Sequence, residues 1–437
     1  MNQAINRRVF LQQSAAAGAV LAGWRSVLPA VAADANNKLL VAVMGCNSRG
    51  MAHIDGLLKA PNVEIAYICD VDSRAMEKGV KVVEKKQGKA PKGVKDIRQV
   101  LDDKSVDAIS IATPNHWHAI ATIMACAAGK HVYVEKPGSH DPNESELMVA
   151  AARKYKRIVQ MGNQRRSMAG IVAAVEKIRG GVIGKVLTAR CYYTRNRPTI
   201  GHGKPAPVPD WLDWSLWQGA APEQPFKDNL IHYNWHWFWH WGNGELGNNA
   251  IHSVDVARWA LGVDAPRRVT FGGGRYRFQD DQETPDTGIA TFDYGDKFIT
   301  WEQSSSHDRK PETQSTVTFY GEGGALAIMG TGYKLYDLKG KEMAGQKTSG
   351  EGDTVRGVGG EHEHFANFVE CVRTNKRPNS EIGECQKSTM LCHYANIAYR
   401  TGHTINVDQK TGKIIGDPKA MALWRRPQYR KGWEPKV

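Results

Sequence analysis

Between residues 38 and 164 the chain alternates two textures. Short, mostly apolar runs occupy residues 39–44, 63–69, 106–112, 131–134 and 158–161. Between most of them lie longer runs in which apolar residues recur every three or four positions, at 49–58, 73–86, 116–128 and 144–156. The first kind predicts buried strands and the second predicts amphipathic helices. Their alternation predicts a parallel sheet with right-handed crossovers. Past Arg166 the texture changes. Residues 186–193, 268–272, 288–294, 297–302 and 316–320 alternate in polarity and are bounded by Gly, Pro and Asp. They predict a mainly antiparallel sheet with one open face. Residues 361–372 and 387–400 read as helices packed on that second half. The tail 420–437 reads as an arm reaching a neighbouring subunit or the cleft. The fold class is therefore a parallel α/β half, 38–165, followed by an α+β half, 166–405, with a C-terminal arm, 406–437.

Composition narrows the function classes. Of 437 residues, 41% are hydrophobic and 24% charged, which excludes disordered and fibrous classes. The net charge of +13 is spread without a Lys/Arg block or a basic stripe interleaved with aromatics, so a nucleic-acid role is not expected. No run in the body of the chain reaches the about 18 apolar residues of a membrane span. The first 33 residues hold Arg7, Arg8 and Arg25 and no acid. Arg7-Arg8-Val9-Phe10-Leu11, an Ala-rich run over 14–23 and Ala30-Val31-Ala32 follow the order of a twin-arginine export leader, which implies a periplasmic or otherwise exported enzyme. The seven cysteines are odd in number and lack a CxxC, so they read as buried thiols rather than a disulfide framework.

The first apolar run ends in Gly45-Cys46-Asn47-Ser48-Arg49-Gly50. Gly45 and Gly50 take the first and third glycine positions of a phosphate-binding loop, and Asn47 takes the second. Asp70 closes the next strand twenty residues after Gly50, where a carboxylate accepts the ribose hydroxyls. NAD is thus favoured over NADP, although Arg74 nearby leaves NADP open. Downstream, Ala112-Thr113-Pro114-Asn115-His116-Trp117-His118 and then Glu135-Lys136-Pro137 each close a strand. With these segments the chain, from about 38 to 405, resembles the Gfo/Idh/MocA oxidoreductases. The resemblance implies that Lys136 lies between nicotinamide and substrate. It implies that Thr113, Pro114, Asn115, His118 and Glu135 line the cofactor, and that the open sheet makes a homo-oligomer contact, as a dimer or tetramer. A lysine beside an oxidised nicotinamide is also expected to titrate low, from like charge and burial.

Eight of the thirteen tryptophans lie between Trp211 and Trp259, and the run from His232 to Trp241 alternates Trp with His. Flat aromatic faces stack on sugar C–H faces, so the run predicts a carbohydrate cleft, with His232, His236, Trp237 and Trp239 facing substrate. Arg165, in a loop near the junction, is assigned to substrate as well. His232, His236 and His240 recur every four residues, which would suit a metal on a helix. No acid lies among them, and no metal is expected. Residues 242–255 form a glycine-rich helix entry with Asn248 and His252 four apart. By the resemblance, His252 stands at the catalytic histidine and Asn248 where many members carry aspartate. His252 is therefore expected to be the general base, with Lys136 relaying. The function expected is hydride transfer between tightly bound NAD and a sugar, glycoside or polyol carbinol. An exported enzyme has no soluble NAD pool, so its cofactor must be restored in place. Two alternatives stand beside it. One is glycoside hydrolysis by transient C3 oxidation and elimination. The other is a non-catalytic carbohydrate-binding protein.

Overall fold

The computed structural model describes residues 38–312, 315–346 and 360–437. The expected export leader lies outside them. The first layer is built from β1 (Leu39–Met44), α1 (Arg49–Lys59), β2 (Val63–Cys69), α2 (Ser73–Gln87), β3 (Lys92–Val94), β4 (Ala108–Ile111), α3 (Asn115–Ala127), β5 (His131–Val134), α4 (Pro142–Lys154) and β6 (Val159–Met161). The strands pair in parallel in the order β3-β2-β1-β4-β5-β6. That order places a crevice at the C-terminal ends of β1 and β4, where consecutive crossovers part to opposite sides. Val41, Val43, Ile109, Val132 and Val134 are buried, as strands covered on both faces require. The helices carry their own punctuation. Asp72 caps α2 by accepting from Arg74 N, and Gly88 closes it with φ 76°. Asp141 caps α4 by accepting from Glu144 N, with Pro142 in its first turn.

The second layer continues with α5 (Ala169–Arg179), β7 (Val186–Thr194), α6 (Ile251–Leu261), β8 (Arg268–Gly274), β9 (Thr287–Asp293), β10 (Phe298–Ser304), β11 (Val317–Gly321), β12 (Gly324–Met329), β13 (Gly332–Tyr336), β14 (Glu342–Gln346), α7 (Glu361–Thr374), α8 (Ile382–Thr401) and β15 (Ile405–Asn406). The nine strands form one sheet, β14-β13-β12-β11-β7-β10-β9-β8-β15. Its ladders are antiparallel except one: β7 and β10 run parallel at the centre. The sheet is thus mainly antiparallel, as expected, with one parallel pair. After β7 the chain leaves the sheet for about seventy residues, including α6, and re-enters it at β8; a connection of that length permits β7 to end beside a parallel partner. One face is covered by α5, α6 and α8. The other keeps Ile289, Phe298 and Tyr320 exposed.

Two expectations are corrected. Helix α7 packs not on the second half but on α1, where Phe365, Phe368 and Val369 join Val41, Ile54 and Leu57 in one core. Gly56 makes this possible, because a Cβ there would stand 2.2 Å from the Phe365 ring. The C-terminal arm folds back on its own chain. Trp433 meets the Trp117 ring edge-on at 5.3 Å, and Arg426 N donates to Asp141 Oδ2 at 3.0 Å. All seven cysteines are free and buried. Among the described residues no helix is long and apolar enough to cross a membrane.

Candidate active site

The crevice begins at the β1–α1 turn. Gly45 has φ 86°, and a Cβ on Gly50 would fall 1.8 Å from Gly45 O, so both positions demand glycine. Ser48 makes no side-chain cap, which leaves the first N–H groups of α1 open to an anion. Asp70, at the end of β2, accepts from Cys46 N at 2.6 Å and Asp72 N at 3.0 Å. Burial raises its pKa above the ordinary carboxylate value. From this turn a cleft of about 290 Å³ runs past Thr113, Pro114 and Asn115 to Lys136, Asn248 and His252.

The cleft collects most of the residues singled out above. Asn47, Ser48, Arg49, Asp70, His118, Glu135, His232 and His236 also line it, while Gly50 lies under the turn. Three others do not line it. Trp237 is 2% exposed, packed in the core. Trp239 lies past the short 3₁₀ turn Asn234–Trp237 and packs beside Tyr399 and Arg400. Arg165 is buried beside Cys191 and Asp255, its Nη1 without a hydrogen-bond partner, and it is Gln164 that reaches the cleft. Burial pulls the Arg165 guanidinium down to about 10.

Several lining groups are already committed to protein partners. Glu135 accepts from Arg49 Nε at 2.7 Å, His53 Nε2 at 3.1 Å and Gln164 Nε2 at 3.1 Å. Although burial opposes it, the Arg49 charge and the His53 bond hold this carboxyl well below its usual range. It acts as a fixed negative charge behind Lys136. The ring nitrogens of His118 lie 2.6 Å from Pro137 O and 2.8 Å from Thr113 O, so His118 braces the two strand ends instead of reaching outward. Arg74 is held by both oxygens of Asp72 and stacks 3.4 Å from the Trp211 ring centroid. That pairing takes it away from a 2′-phosphate.

Lys136 Nζ donates to Asn248 O at 2.7 Å and Asn248 Oδ1 at 3.3 Å. Burial pulls the ammonium down to about 8, and the Glu135 charge offsets part of that fall. Asn248 sits in the π-helical turn Leu246–Ala250, and His252 in the first turn of α6, both lining the cleft. His252 makes no hydrogen bond to the described residues. Burial, with the Lys136 and Arg165 charges, keeps its pKa well below 6.5. It is a neutral imidazole at neutral pH.

The tryptophan-rich segment closes the cleft from outside. Ser73 N donates to Trp211 O at 2.9 Å, Asp213 N to Val71 O at 3.0 Å, and His232 Nε2 meets Asp72 Oδ2 at 2.9 Å. His236 Nδ1 bonds Tyr233 O at 2.6 Å, and burial drives that ring down to about 3. His240 bonds Pro222 O at 2.8 Å. The helix that would align the three histidines is only one 3₁₀ turn, so each finds a separate partner. Among the described residues no His, Cys, Asp and Glu group has metal-binding geometry. Sequence reasoning missed Trp117, Trp217 and Tyr233 on the cleft wall. Tyr233 stood in the same aromatic run as the residues chosen.

Residues 39–163 match a family model described as an oxidoreductase family with an NAD-binding Rossmann fold, GFO/IDH/MocA, and residues 222–327 match that family's C-terminal domain. A levoglucosan dehydrogenase from Pseudarthrobacter phenanthrenivorans is 35% identical over 170 residues, 38% of this chain and 36% of that protein. A glycosyl hydrolase family 109 protein from Saccharopolyspora erythraea is 29% identical over 203 residues, 42% of this chain and 44% of its own. The matched region thus spans less than half the length of these curated relatives. Among solved structures, a levoglucosan dehydrogenase in complex with NADH and levoglucosan superposes with a TM-score of 0.66 at 18% identity, covering 85% of this chain and 100% of that one. An aldose–aldose oxidoreductase from Caulobacter crescentus gives 0.65 at 18% identity, with the same coverage. At that identity the likeness speaks to fold alone.

Proposed function

We propose, from the premise that this chain belongs to the Gfo/Idh/MocA oxidoreductase family, that it oxidises and reduces a carbinol carbon of a sugar, glycoside or polyol with a tightly held NAD. The observation that carries this reading is a single cleft joining the Gly45–Gly50 turn and Asp70 to Lys136, Asn248 and His252. The residues fit the cofactor. The turn presents open helix N–H groups where a pyrophosphate would sit, and Asp70 stands at the ribose position beyond β2. When bound, the dinucleotide supplies the hydride acceptor. The rest is done by the chain.

Lys136, with its pKa near 8, takes the carbinol proton as its neutral amine and returns it as the ammonium. Its position is set by the two Asn248 oxygens. His252 is held neutral, so it serves as a hydrogen-bonding partner that orients the substrate oxygen and is a weaker proton acceptor than the sequence suggested. Trp217, Trp235 and Tyr233 offer the apolar wall for a sugar ring. The curated relative named levoglucosan dehydrogenase, 35% identical over 170 residues, supports a sugar as substrate class.

A second reading, glycoside hydrolysis by transient oxidation and elimination, is favoured by the matches to glycosyl hydrolase family 109 proteins and by the extra polar groups of Tyr233 and His236 beside Asn248. The non-catalytic reading gives Lys136 no task for its place between Glu135 and Asn248. Export by the twin-arginine route is supported by Arg7-Arg8 and the small residues at 30–32. Self-association is supported by the exposed sheet face at Ile289, Phe298 and Tyr320. One assay separates the chemistries. The protein is incubated with levoglucosan, myo-inositol and aryl glycosides while the reduced-nicotinamide band and reducing-sugar release are followed together. A band without release supports redox transfer, release without lasting reduction supports hydrolysis, and neither contradicts both.

A further inference from the structure

The amide of Asn248 works in two directions. Its oxygen receives Lys136, and its Nδ2 donates to Tyr233 Oη at 3.4 Å. Arg197 Nη1 donates to the same phenolic oxygen at 3.0 Å. A tyrosine oxygen has two lone pairs and one hydrogen. With both lone pairs taken by N–H donors, the hydrogen is left to turn away from them. Tyr233 lines the cleft and, as a whole residue, is 44% exposed. The group behind it is rigid. Arg197 is ion-paired with Glu245, donates to Tyr193 Oη at 3.1 Å and lies 4.9 Å over the Trp237 ring. The Tyr233 carbonyl is pinned by His236 Nδ1. Tyr233 and Lys136 thus face one space, separated by one amide that can neither accept nor release a proton.

We propose that Tyr233 is a catalytic residue: its hydroxyl donates a hydrogen bond to the same carbinol oxygen whose proton Lys136 accepts. This rests on the hydride-transfer reading. In the oxidation the O–H proton passes to the neutral Lys136 amine. The carbinol C–H hydrogen leaves with its electron pair to oxidised nicotinamide, and the C–O bond becomes a carbonyl. Tyr233 keeps its proton throughout. Its contribution is to meet the negative charge that grows on oxygen as the proton departs, with the Arg197 charge behind it strengthening the donor. In the reverse direction the same bond polarises the carbonyl. Asn248 is then a positioning residue that sets the separation between the two groups.

The test is Tyr233→Phe, which removes one half-exposed hydroxyl, assayed with levoglucosan and myo-inositol. Three quantities are read: reduced-nicotinamide formation, dinucleotide extracted per chain, and the thermal midpoint. The expected result is a fall in kcat of about 10²–10³-fold, with KM within a few-fold and the nucleotide content and midpoint unchanged. Unchanged kcat overturns the proposal. A loss of nucleotide in step with activity also overturns it, because Tyr233 would then be a wall of the nucleotide site. A wild-type protein that reduces no nicotinamide with either probe removes the hydride-transfer reading itself, and this proposal with it.

Discussion

Burial acts on Lys136 and His252 with opposite consequences. Both lose the solvation that favours their charged forms. For the lysine this brings the neutral amine within reach, at about 8, while for the histidine it forbids the imidazolium across the working range. kcat/KM is therefore expected to rise with pH and level off above about pH 8, since the amine must be unprotonated to accept the carbinol proton. Lys136→Arg holds its charge at every accessible pH. It is expected to lose about 10²–10⁴-fold in turnover and the acidic limb with it, while keeping its nucleotide. A pH–rate profile of both proteins checks this. Gly50 supplies a harder constraint. With its Cβ 1.8 Å from Gly45 O, Gly50→Ala has to displace main chain at the phosphate turn. The variant is expected to purify without dinucleotide, measured by extraction, and with a lowered thermal midpoint.

Elements explain why a nucleotide would stay put. The segment around Trp211 and His232 is tied to the β2–α2 turn by an antiparallel bridge, Asp72 to Leu212, made by two main-chain hydrogen bonds, and by the His232–Asp72 pair. It lies across the ribose end of the cleft. His232→Ala removes one of these ties, and exchange of bound NAD with labelled NAD is expected to quicken by about tenfold or more, from the loss of a hydrogen bond to a charged group. The parallel layer was legible in the sequence because its strands are covered on both faces and its helices are capped locally, so burial and periodicity agree. The segment from 195 to 245 was not. Its structure is mostly irregular, with one short helix, Trp214–Gln218, and one 3₁₀ turn, Asn234–Trp237, whose contacts come from distant residues such as Asp72 and Glu283, and periodicity carries no signal for those. Trp237 and Trp239 were therefore placed on the wrong side of the cleft wall, while Tyr233, four positions before Trp237, went unremarked. Helix α7 was legible as a helix but not by its partner. The fit of Phe365 against Gly56 joins residues 309 positions apart.

At the scale of the whole molecule, the last residues clasp the first layer. Tyr429 donates to Glu144 Oε1 at 3.2 Å, and His140 N donates to Glu144 Oε2 at 3.0 Å. Burial and the adjacent Asp141 charge push the Glu144 carboxyl upward. A carboxyl whose folded pKa lies above its unfolded one holds its proton more tightly when folded. Its contribution is full at low pH and is lost as pH rises through the folded pKa. The thermal midpoint is expected to fall from about pH 5 to about pH 8, and Glu144→Gln is expected to flatten that slope. The open sheet face makes a separate prediction. Ile289→Arg places a charge on that face, on β9, and is expected to shift the protein to smaller species in light scattering, with the hydride chemistry intact.

The central claim is that one cleft holds a dinucleotide at one end and delivers a carbinol to Lys136 at the other. The most direct measurement is the absorption spectrum of the purified protein, recorded before and after anaerobic addition of levoglucosan and myo-inositol, with the nucleotide quantified after denaturation. The account predicts about one NAD per chain and a reduced-nicotinamide band that grows on adding at least one of these compounds and stays absent in Lys136→Arg. Protein that carries no dinucleotide and binds none when supplied would contradict it.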